Sequence, residues 1–468
     1  MGEAKNLGLG IRVVGGGHSW SPLFPDPYQI GVSLDDLRGE KYWLNEEKTK
    51  LTVLSSERIQ DVVKWAAGEG VTLGPIPVGP DYTIPGMTAT GCHGSSTQFG
   101  PFANMVYGYE LVDGNGNVRK FNEDDNKEII DACRVHLGLC GIIYKTILKV
   151  IPDVKQKYTY ATNIPVQKLL DDNNRRDLVM NNWAVYLVFM IDFKSATEEE
   201  MEQMQADPLR RIPESYDVFK ADMEIWVWSE VDQNTPLSEQ YKDTLTLADG
   251  STYEAVSVIK PYSETKNGES TSRHRCTQLR TAVSFAAPES DDFTESGKTL
   301  RDHLTILEGL FKNVGFYPKL ELGSFSVLRW MKHFDDCLLC PSTVADDSSL
   351  KKLVTYSEMV TLYDKCEEPI IGEVNSTKQK LLETKFGVDV MKNNPRVLPH
   401  WGKYFEHIPG MSDQIRRQFG DDLRTFINMR NKYNLDNKNL FVNNHLKDIF
   451  RDALAETCPG YNPFTINT

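Results

Sequence analysis

The sequence lacks several features that would assign a protein to a class at once. Its 468 residues contain no run of 18 apolar residues, so no transmembrane helix is predicted. The stretch MGEAKNLGLG has no apolar core of a signal peptide, which leaves the compartment unknown. Basic residues are outnumbered, with 52 Lys and Arg against 66 Asp and Glu, a formal charge of -14. Because such a surface repels phosphate backbones, we expect no nucleic-acid partner.

Cysteine is also sparse and follows no framework spacing. The eight cysteines are scattered along the chain, which predicts mostly free thiols in a reducing compartment. Cys337 and Cys340 have the spacing of a redox or zinc motif, but no second pair of ligands lies near them. We interpret them as two thiols near a strand end and predict no metal site.

The first 150 residues alternate short strands with helices. IRVVGGG predicts a strand that runs into a glycine turn, and LTVL at 51–54 predicts another strand. Ser56 is a candidate N-cap for a helix whose buried face would be Ile59, Val62, Val63 and Ala66. YGYELVDGNGNVRKF at 107–121 predicts a hairpin, and the stretch from 137 to 152 begins as a turn and becomes a long strand.

Longer strands follow between residues 155 and 400. AVYLVFMIDF, MEIWVWSEV and SFSVLRWM alternate with helical and polar stretches, which predicts an antiparallel sheet in an α+β unit. The last 60 residues are predicted to be helical. We therefore predict one domain over 1–152, a second over 153–404, and a segment over 405–468 that returns to the first.

Glycine-rich turns recur in the first of these domains. They lie at 15–20, 84–96, 99–105 and 137–143. Glycines let a backbone approach a ligand and direct successive N–H groups at a phosphate. Several such turns near Ser19, Thr83, Ser95 and Ser96 indicate a long ligand that contains a diphosphate. The G-x-G-x-x-G dinucleotide fingerprint itself is absent.

These motifs carry a resemblance. GGGHSWSPL, TIPGMTATGCHGSS, LVDGNGNV and LGLCGIIYKTILKV together resemble the flavin-binding domain of the vanillyl-alcohol oxidase superfamily. PHWGK at 399–403 and FINMRNKYNLDNKNLFVNNHLKDIF at 426–450 are similar to motifs of its aldonolactone oxidoreductase group, which contains the gulonolactone, arabinonolactone and alditol oxidases. The similarity covers both ends of the chain and is weak through the middle.

The resemblance implies an α+β fold with two domains, a PCMH-type FAD-binding domain and a substrate or cap domain with an antiparallel sheet. It implies FAD as the cofactor, bonded through the ring of His18 to the 8α-methyl group of the flavin. The cofactor-binding residues that it implies are Gly15, Gly16, Gly17, His18, Ser19, Thr83, Gly86, Thr90, His93, Gly94, Ser95, Gly138, Gly141, Ile142 and Lys403.

On the substrate side, the resemblance implies catalytic roles for Lys403, Arg329 and His400, with Trp401 beside them. VLRWMKHFDDCLLCPS resembles a family strand that reads Glu-x-Arg-aromatic, followed by an Asp-Asp pair. The family's glutamate falls on Val327, and Glu321 could replace it only if the strand bends. We therefore expect Arg329 to lack its acid and to favour an anionic or carbonyl-bearing substrate over a neutral polyol. Val327→Glu is then expected to improve activity on neutral polyols or lactones, whereas the wild type prefers a ligand with a carboxylate or is nearly inactive.

The family places a strand, a helix and another strand before the glycine-histidine loop, whereas only AKNLGLGIRVV precedes it here. We therefore expect an incomplete N-terminal part with an exposed sheet edge. The leading hypothesis is an FAD-dependent enzyme that oxidises a CH–OH group of a sugar lactone, polyol or related alcohol, with O2 or an unknown acceptor. Two alternatives stay open, a catalytically degenerate flavin-fold protein and an NADPH-dependent flavoreductase. His18 and Lys403 argue against the reductase.

Overall fold

The structure is a computed structural model. It describes residues 1–77, 79, 81–190, 196–208, 211–266, 278–314, 325–341, 352–364, 369–436 and 438–457. Glu321, the residue expected to compensate for Val327, lies outside these described residues. Within them, no helix combines the length and the hydropathy that crossing a membrane requires.

The described residues form the following strands: β1 Gly10–Val14, β2 Gln29–Ser33, β3 Tyr42–Leu44, β4 Lys50–Leu54, β5 Val71–Thr72, β6 Val106–Val112, β7 Val118–Asn122, β8 Ile142–Lys149, β9 Ile151–Pro152, β10 Lys155–Pro165, β11 Ala184–Met190, β12 Asp222–Glu230, β13 Tyr241–Thr246, β14 Thr252–Pro261, β15 Gln278–Pro288, β16 Phe325–Lys332, β17 Leu353–Asp364 and β18 Leu398–Pro399.

They also form these helices: α1 Gly2–Asn6, α2 Ile59–Gly68, α3 Ile84–Ala89, α4 Glu123–Cys133, α5 Val166–Leu169, α6 Asp172–Met180, α7 Glu198–Ala206, α8 Tyr262–Lys266, α9 Thr294–Val314, α10 Pro369–Asn393, α11 Met411–Phe419, α12 Asp421–Lys432, α13 Asn444–Ile449 and α14 Arg451–Thr457.

Two antiparallel sheets organise this part of the chain. A five-stranded sheet in the order β3-β4-β8-β6-β7 comes from the first 150 residues. A nine-stranded sheet in the order β13-β14-β10-β12-β11-β16-β17-β15-β18 comes from the residues after them. The predicted α+β fold class with its antiparallel sheet is confirmed, whereas the domain boundaries at 152 and 404 stay predictions.

The predicted local elements occur where the hydrophobic pattern placed them. The face of α2 made by Ile59, Val62, Val63 and Ala66 is buried, as its helical spacing predicts. The predicted N-cap was wrong, because α2 begins at Ile59 after Arg58 rather than after Ser56. A tertiary contact fixes that start, since the Ile59 amide donates to the Tyr82 carbonyl at 2.8 Å.

The C-terminal segment lies against the first strand. The Ile11 amide donates to the Leu440 carbonyl at 2.8 Å, on the edge of β1 that faces away from β2. The buried guanidinium of Arg12 donates to the carbonyls of Leu23, Leu137 and Phe441. Residue 440 therefore covers part of the edge that we expected to be exposed, and Arg12 joins three distant segments.

The prediction of mostly free thiols was wrong. Cys133 and Cys140 form a disulfide, and Cys337 and Cys340 form another. Among the described cysteines, Cys92 is the one free thiol. The first pair meets because the turn after α4 folds back on the helix end, which a spacing of seven residues does not reveal.

Candidate active site

The loop after β1 lies flat against residues 81–86. A Cβ on Gly15 would sit 2.5 Å from Thr83 Oγ1, and one on Gly16 would sit 2.7 Å from the Asp81 carbonyl oxygen. Any side chain at either position would therefore push the two segments apart. Gly17 has φ +74, in the left-handed region that favours glycine, and a Cβ there would meet open space.

A large cleft opens along this loop. It holds about 1210 Å³ of empty space, with the solvent at its mouth included. The predicted site residues that line it are Gly15, Gly16, Gly17, His18, Ser19, Thr83, Gly86, Thr90, Gly138, Gly141, His400 and Lys403. The structure thus brings together glycine turns that lie more than 100 residues apart in the sequence.

Other predicted site residues surround the cleft without lining it. Ser95 Oγ donates to the carbonyls of Val185 and Trp330, so it joins this region to the nine-stranded sheet. A Cβ on Gly94 would sit 2.7 Å from the Ile76 carbonyl oxygen, and Ile142 begins β8. Trp401 is buried against Phe419, with ring centroids 5.4 Å apart. His93 and Arg329 belong to the polar cluster described below.

The cleft offers polar groups that suit a dinucleotide. The hydroxyls of Ser55 and Thr83 are buried at its wall and have no hydrogen-bond partner among the described residues. Burial lowers the pKa of Arg12, which also lines the cleft, to about 10, against a small opposing effect of Asp26. Arg12 nevertheless keeps its charge at neutral pH. Unsatisfied donors, glycine backbone and a fixed cation fit a long ligand that contains phosphate.

His18 lies on the exposed rim of this cleft. Its ring meets Tyr82 edge-on, with centroids 4.6 Å apart. Partial burial lowers the pKa of His18, the nearby Asp81 opposes that shift, and Arg58 adds to it. The imidazole is therefore mostly neutral near pH 7, the form that has a nucleophilic nitrogen. The covalent link through His18 stays a prediction.

The loop at 400–403 closes the other end of the cleft. The Trp20 amide donates to the Gly402 carbonyl at 2.9 Å, so this loop and the glycine loop are bonded to each other. His400 Nδ1 accepts from the Gly402 amide at 3.0 Å. Burial, with the charge of Lys403, lowers the pKa of His400 to about 3. A neutral His400 with Nδ1 as acceptor carries its proton on Nε2 and can donate there.

His93 has the complementary tautomer. Its Nδ1 lies 3.0 Å from the Gly94 carbonyl oxygen, which can only accept, so Nδ1 carries the proton and Nε2 has a free lone pair. Burial holds the pKa of His93 well below its usual range, and the positive charge of Arg329 adds to the shift. The ring packs on Tyr356 at 3.7 Å and lies 5.2 Å from the His400 ring.

The charged group next to these histidines is a buried carboxylate between two cations. Glu358 pairs with Arg329 and with Lys403. Burial alone would raise the pKa of Glu358, but Lys403 and Arg329 outweigh it and lower the pKa to about 2. Glu358 is thus ionised at all ordinary pH values, and the cluster has one net positive charge.

Glu358 overturns the expectation that Arg329 lacks its acid. In the register of β16 and β17, Glu358 is the direct cross-strand partner of Val327, the position where the family has its glutamate. Direct partners point to the same face of a sheet. The carboxylate has therefore moved one strand sideways and still meets Arg329. With the pair complete, the argument for anionic substrates and for a gain from Val327→Glu no longer holds.

Sequence reasoning missed Glu358, although a signal existed. It stands in LVTYSEMVTLYD, a strand of mostly apolar and β-branched residues in which a buried acid is unusual. The Asp335–Asp336 pair lies elsewhere. Asp335 contacts His333, and Asp336 contacts Lys127 at 2.7 Å on an exposed surface. No group of three His, Cys, Asp or Glu side chains within the described ranges could hold a metal ion.

A family model described as an FAD binding domain matches residues 1–122. That match includes Gly15, Gly16, Gly17 and Gly86 of the cleft lining, whereas Gly138 and Gly141 lie beyond it. Residues 1–122 are an FAD binding domain. FAD is accordingly the cofactor, and residues of this domain, of the 136–143 turn and of the 400–403 loop would hold it.

Similar proteins include the L-gulonolactone oxidase of Mus musculus, 27% identical over 172 residues, which are 36% of this chain and 38% of the mouse protein. The D-arabinono-1,4-lactone oxidase of Eremothecium gossypii is 27% identical over 152 residues, 32% of this chain and 28% of that protein. The chain thus matches less than half the length of these curated relatives.

Two solved structures are similar over most of the chain. A carbohydrate oxidase from Microdochium nivale in complex with a substrate analogue has a TM-score of 0.63 at 13% identity, over 94% of this chain and 86% of that one. A variant of Physcomitrella patens BBE-like 1 has a TM-score of 0.61 at 14% identity, with the same coverage. At these identities the likeness shows a shared fold.

Proposed function

We propose that the protein is an FAD-dependent oxidoreductase that oxidises a CH–OH group of a sugar lactone, polyol or related alcohol. The observation that carries this proposal is the buried Arg329–Glu358–Lys403 cluster, which borders the end of the flavin cleft beside two neutral histidines. Oxidation of a carbinol needs an acceptor for the hydroxyl proton and positive charge near the oxygen that loses it. The cluster offers the positive charge, and the neighbouring His93 offers an acceptor for the proton.

FAD, when bound, supplies an acceptor for the hydride from the carbinol carbon and passes the two electrons to O2 or another acceptor. The chain's residues handle the hydroxyl group. Lys403 lines the cleft and would stabilise the developing alkoxide. His400, through its protonated Nε2, would donate to the same oxygen or to a neighbouring hydroxyl.

Two groups could receive the hydroxyl proton. The carboxylate of Glu358 accepts hydrogen bonds only, and it would orient the hydroxyl that faces Arg329 and Lys403. The free lone pair of His93 Nε2 is the second acceptor. Because the pKa of Glu358 is about 2, its basicity is low while both cations remain in contact. We infer that Glu358 orients the substrate and that the proton leaves towards His93 Nε2, because Nε2 of His400 already carries a proton.

Glu358 also favours neutral substrates. The cluster already contains the carboxylate that an anionic substrate would otherwise supply to Arg329. A lactone, lactol or polyol can donate hydroxyl protons to Glu358 and accept from Arg329 and Lys403, so all buried groups stay satisfied. A carboxylate substrate would instead meet Glu358 as a like charge.

The test is anaerobic reduction of the FAD-bound protein. Purified protein is mixed without oxygen with aldonolactones, alditols, reducing sugars and hydroxy acids, and the loss of flavin absorbance is followed. We expect neutral CH–OH donors to bleach the flavin and hydroxy acids to do so at least tenfold more slowly. Protein that contains FAD and is bleached by none of these donors would contradict the proposal and support the catalytically degenerate alternative. Bleaching by NADPH alone would support the flavoreductase.

A further inference from the structure

A single rung of cross-strand partners crosses the nine-stranded sheet and contains Arg329. Moving away from the site, the direct partner of Arg329 is Tyr186, that of Tyr186 is Trp226, and that of Trp226 is Tyr160. Val256 on β14 is the next partner. Because direct partners share a face, these side chains stand in one row on the face that carries Arg329 and Glu358.

The aromatic rings of this row lie close to one another. The Arg329 guanidinium lies 5.4 Å from the centre of the Tyr186 ring. The Tyr186 and Trp226 rings are 5.9 Å apart, and the Trp226 and Tyr160 rings are 6.3 Å apart. At the usual strand spacing, the row from Arg329 to Val256 extends about 19 Å. That is several times the width of one sugar ring.

Exposure rises along the row with distance from the site. Tyr186 is 3% exposed, Trp226 and Tyr160 are half-buried, and Val256 is 40% exposed. On the opposite face, the neighbouring side chains Val185, Leu187, Ile225 and Val227 are buried in the core. The row therefore leads from the buried cluster to open solvent, as a surface that guides part of a ligand would.

The chemistry next to the row is that of a saccharide surface. The Glu224 carboxylate lies beside Tyr160, whose pKa is raised first by burial and then by Glu224. Lys242 pairs with Val256 at the outer end of the row. Aromatic faces cover the apolar C–H faces of sugar rings, and a carboxylate and an ammonium at the edge can bond the hydroxyls.

We propose that Trp226 and Tyr160, which continue the row beyond the buried Tyr186, form a platform for the outer rings of a saccharide whose terminal ring is oxidised at Arg329–Glu358–Lys403. This inference rests on the proposed function and narrows its substrate class to glycosides of at least two rings. A CH–OH group of the terminal ring loses a hydride to the flavin and its hydroxyl proton to the site, and is thereby oxidised to a carbonyl group. The following rings take no part in the reaction and contribute binding only.

The test compares chain lengths in two separate measurements on the FAD-bound protein. Anaerobic flavin reduction is measured with mono-, di- and trisaccharides of glucose, galactose, mannose and xylose in α and β linkages. Binding of the corresponding methyl glycosides, whose anomeric hydroxyl is capped, is measured by calorimetry. We expect the KM and the Kd to fall at least tenfold from one ring to two or three rings for at least one linkage.

The variants are Tyr160→Ala and Trp226→Leu. In each variant, the KM and the Kd for the longer chains should rise by a factor of about 2 to 12. The values for monosaccharides should stay within about twofold of those of the wild type. The matched control is Tyr241→Ala, an exposed tyrosine of the same sheet whose partner Ser257 also pairs with Thr159, on the opposite face. It should change neither value. Tyr160 is half-buried at the outer part of the sheet, so its variant keeps the test valid if Trp226→Leu fails to fold.

Equal affinity for one ring and for longer chains across the whole panel would overturn the platform. An equal loss on mono- and oligosaccharides in both variants would overturn it too. If longer methyl glycosides bind more tightly through Tyr160 and Trp226 but no saccharide bleaches the flavin, the proposed oxidation is wrong and the platform stands.

Discussion

The two walls of the cleft are built in different ways. The wall that we assign to the flavin, the flavin wall, comes from short contiguous stretches, in which glycines let backbone segments pack closely against one another. The substrate wall places Arg329, Glu358 and Lys403 together from β16, β17 and the loop after β18. A backbone cradle is local in sequence, whereas a charged site depends on strand register. Changes to the second wall should therefore affect chemistry, and changes to the first should affect cofactor retention.

The largest effect is expected from Glu358→Gln. It leaves the buried Arg329 and the half-buried Lys403 without a carboxylate and removes the group that we propose orients the substrate hydroxyl. The rate of flavin reduction by the best donor should fall by about 10²–10⁴-fold, while FAD content stays close to that of the wild type. The matched control is Glu289→Gln, a buried carboxylate bonded to Trp330 and Thr355 outside the cleft lining. It should lower stability more than rate.

The same site offers a stricter test of register. Val327→Glu alone should impair activity, because it places a second carboxylate directly opposite Glu358. The double variant Val327→Glu/Glu358→Val should recover much of the lost rate, because it restores one acid beside Arg329 on the same face. If the double variant reduces the flavin no faster than Glu358→Val, an acid at position 327 does not replace one at position 358, and the proposed equivalence of the two positions is wrong.

Lys403→Met should lower turnover by about 10²–10³-fold, with much less effect on FAD content. Lys403 lines the cleft and contacts Glu358, so its loss removes positive charge where we propose that the alkoxide forms. The measurements are single-turnover flavin reduction and FAD absorbance per protein. Equal losses of rate and FAD would indicate that Lys403 holds the cofactor rather than the reacting oxygen.

His18→Ala tests the other wall. In the wild type, flavin should remain with the protein after acid precipitation, whereas in the variant all of it should appear in the supernatant. The variant should still bind FAD, because the glycine cradle and the Ser55 and Thr83 hydroxyls are unchanged. His445→Ala changes a half-buried histidine outside the cleft lining and should keep the wild-type behaviour. Flavin that is released from the wild type as well would exclude attachment.

The free energy of unfolding should depend on pH through the ionisation of Glu358. The folded pKa of Glu358 is about 2 and its usual value is 4.5, so its ionisation stabilises the fold fully above about pH 4.5. That contribution, about 3 kcal/mol, is lost as the pH falls from 4.5 towards 2. Urea unfolding at pH 6 and pH 3 should therefore show a smaller pH effect for Glu358→Gln than for the wild type. An equal pH effect in both proteins would contradict the low pKa.

The smallest effect is expected from the disulfide at the flavin wall. Cys133 and Cys140 close a short loop that includes Leu137 and Gly138, which line the cleft. Replacing both cysteines by serine should lower the free energy of unfolding by about 2–3 kcal/mol and weaken FAD binding. The Cys337–Cys340 pair encloses fewer residues, so its removal should cost less and leave FAD binding unchanged. Equal effects of both pairs on FAD binding would contradict the distinction.

The difference between the walls also sets what the sequence can predict. The buried face of α2, the hairpin at β6 and β7, and the glycine turns followed from local spacing and turn chemistry. Glu358 did not, because its meeting with Arg329 depends on how β16 and β17 align, which no local pattern encodes. The same holds for the start of α2, which a contact with Tyr82 fixes, and for the turn that brings Cys133 to Cys140.

The contact between β1 and the C-terminal segment has a consequence for biosynthesis. Arg12 and Ile11, beside the first glycine turn, bond to the carbonyls of Phe441 and Leu440. A ribosome that adds about 5–20 residues per second needs roughly 20–90 s to proceed from Arg12 to Leu440. Until those residues have been made, the strand before the glycine loop lacks its contact with Leu440, and the Trp20 amide lacks the Gly402 carbonyl that accepts its hydrogen bond. We therefore expect FAD to be loaded only after residues 440 and 441 have been made, and a truncated product that ends before residue 440 should emerge as apoprotein.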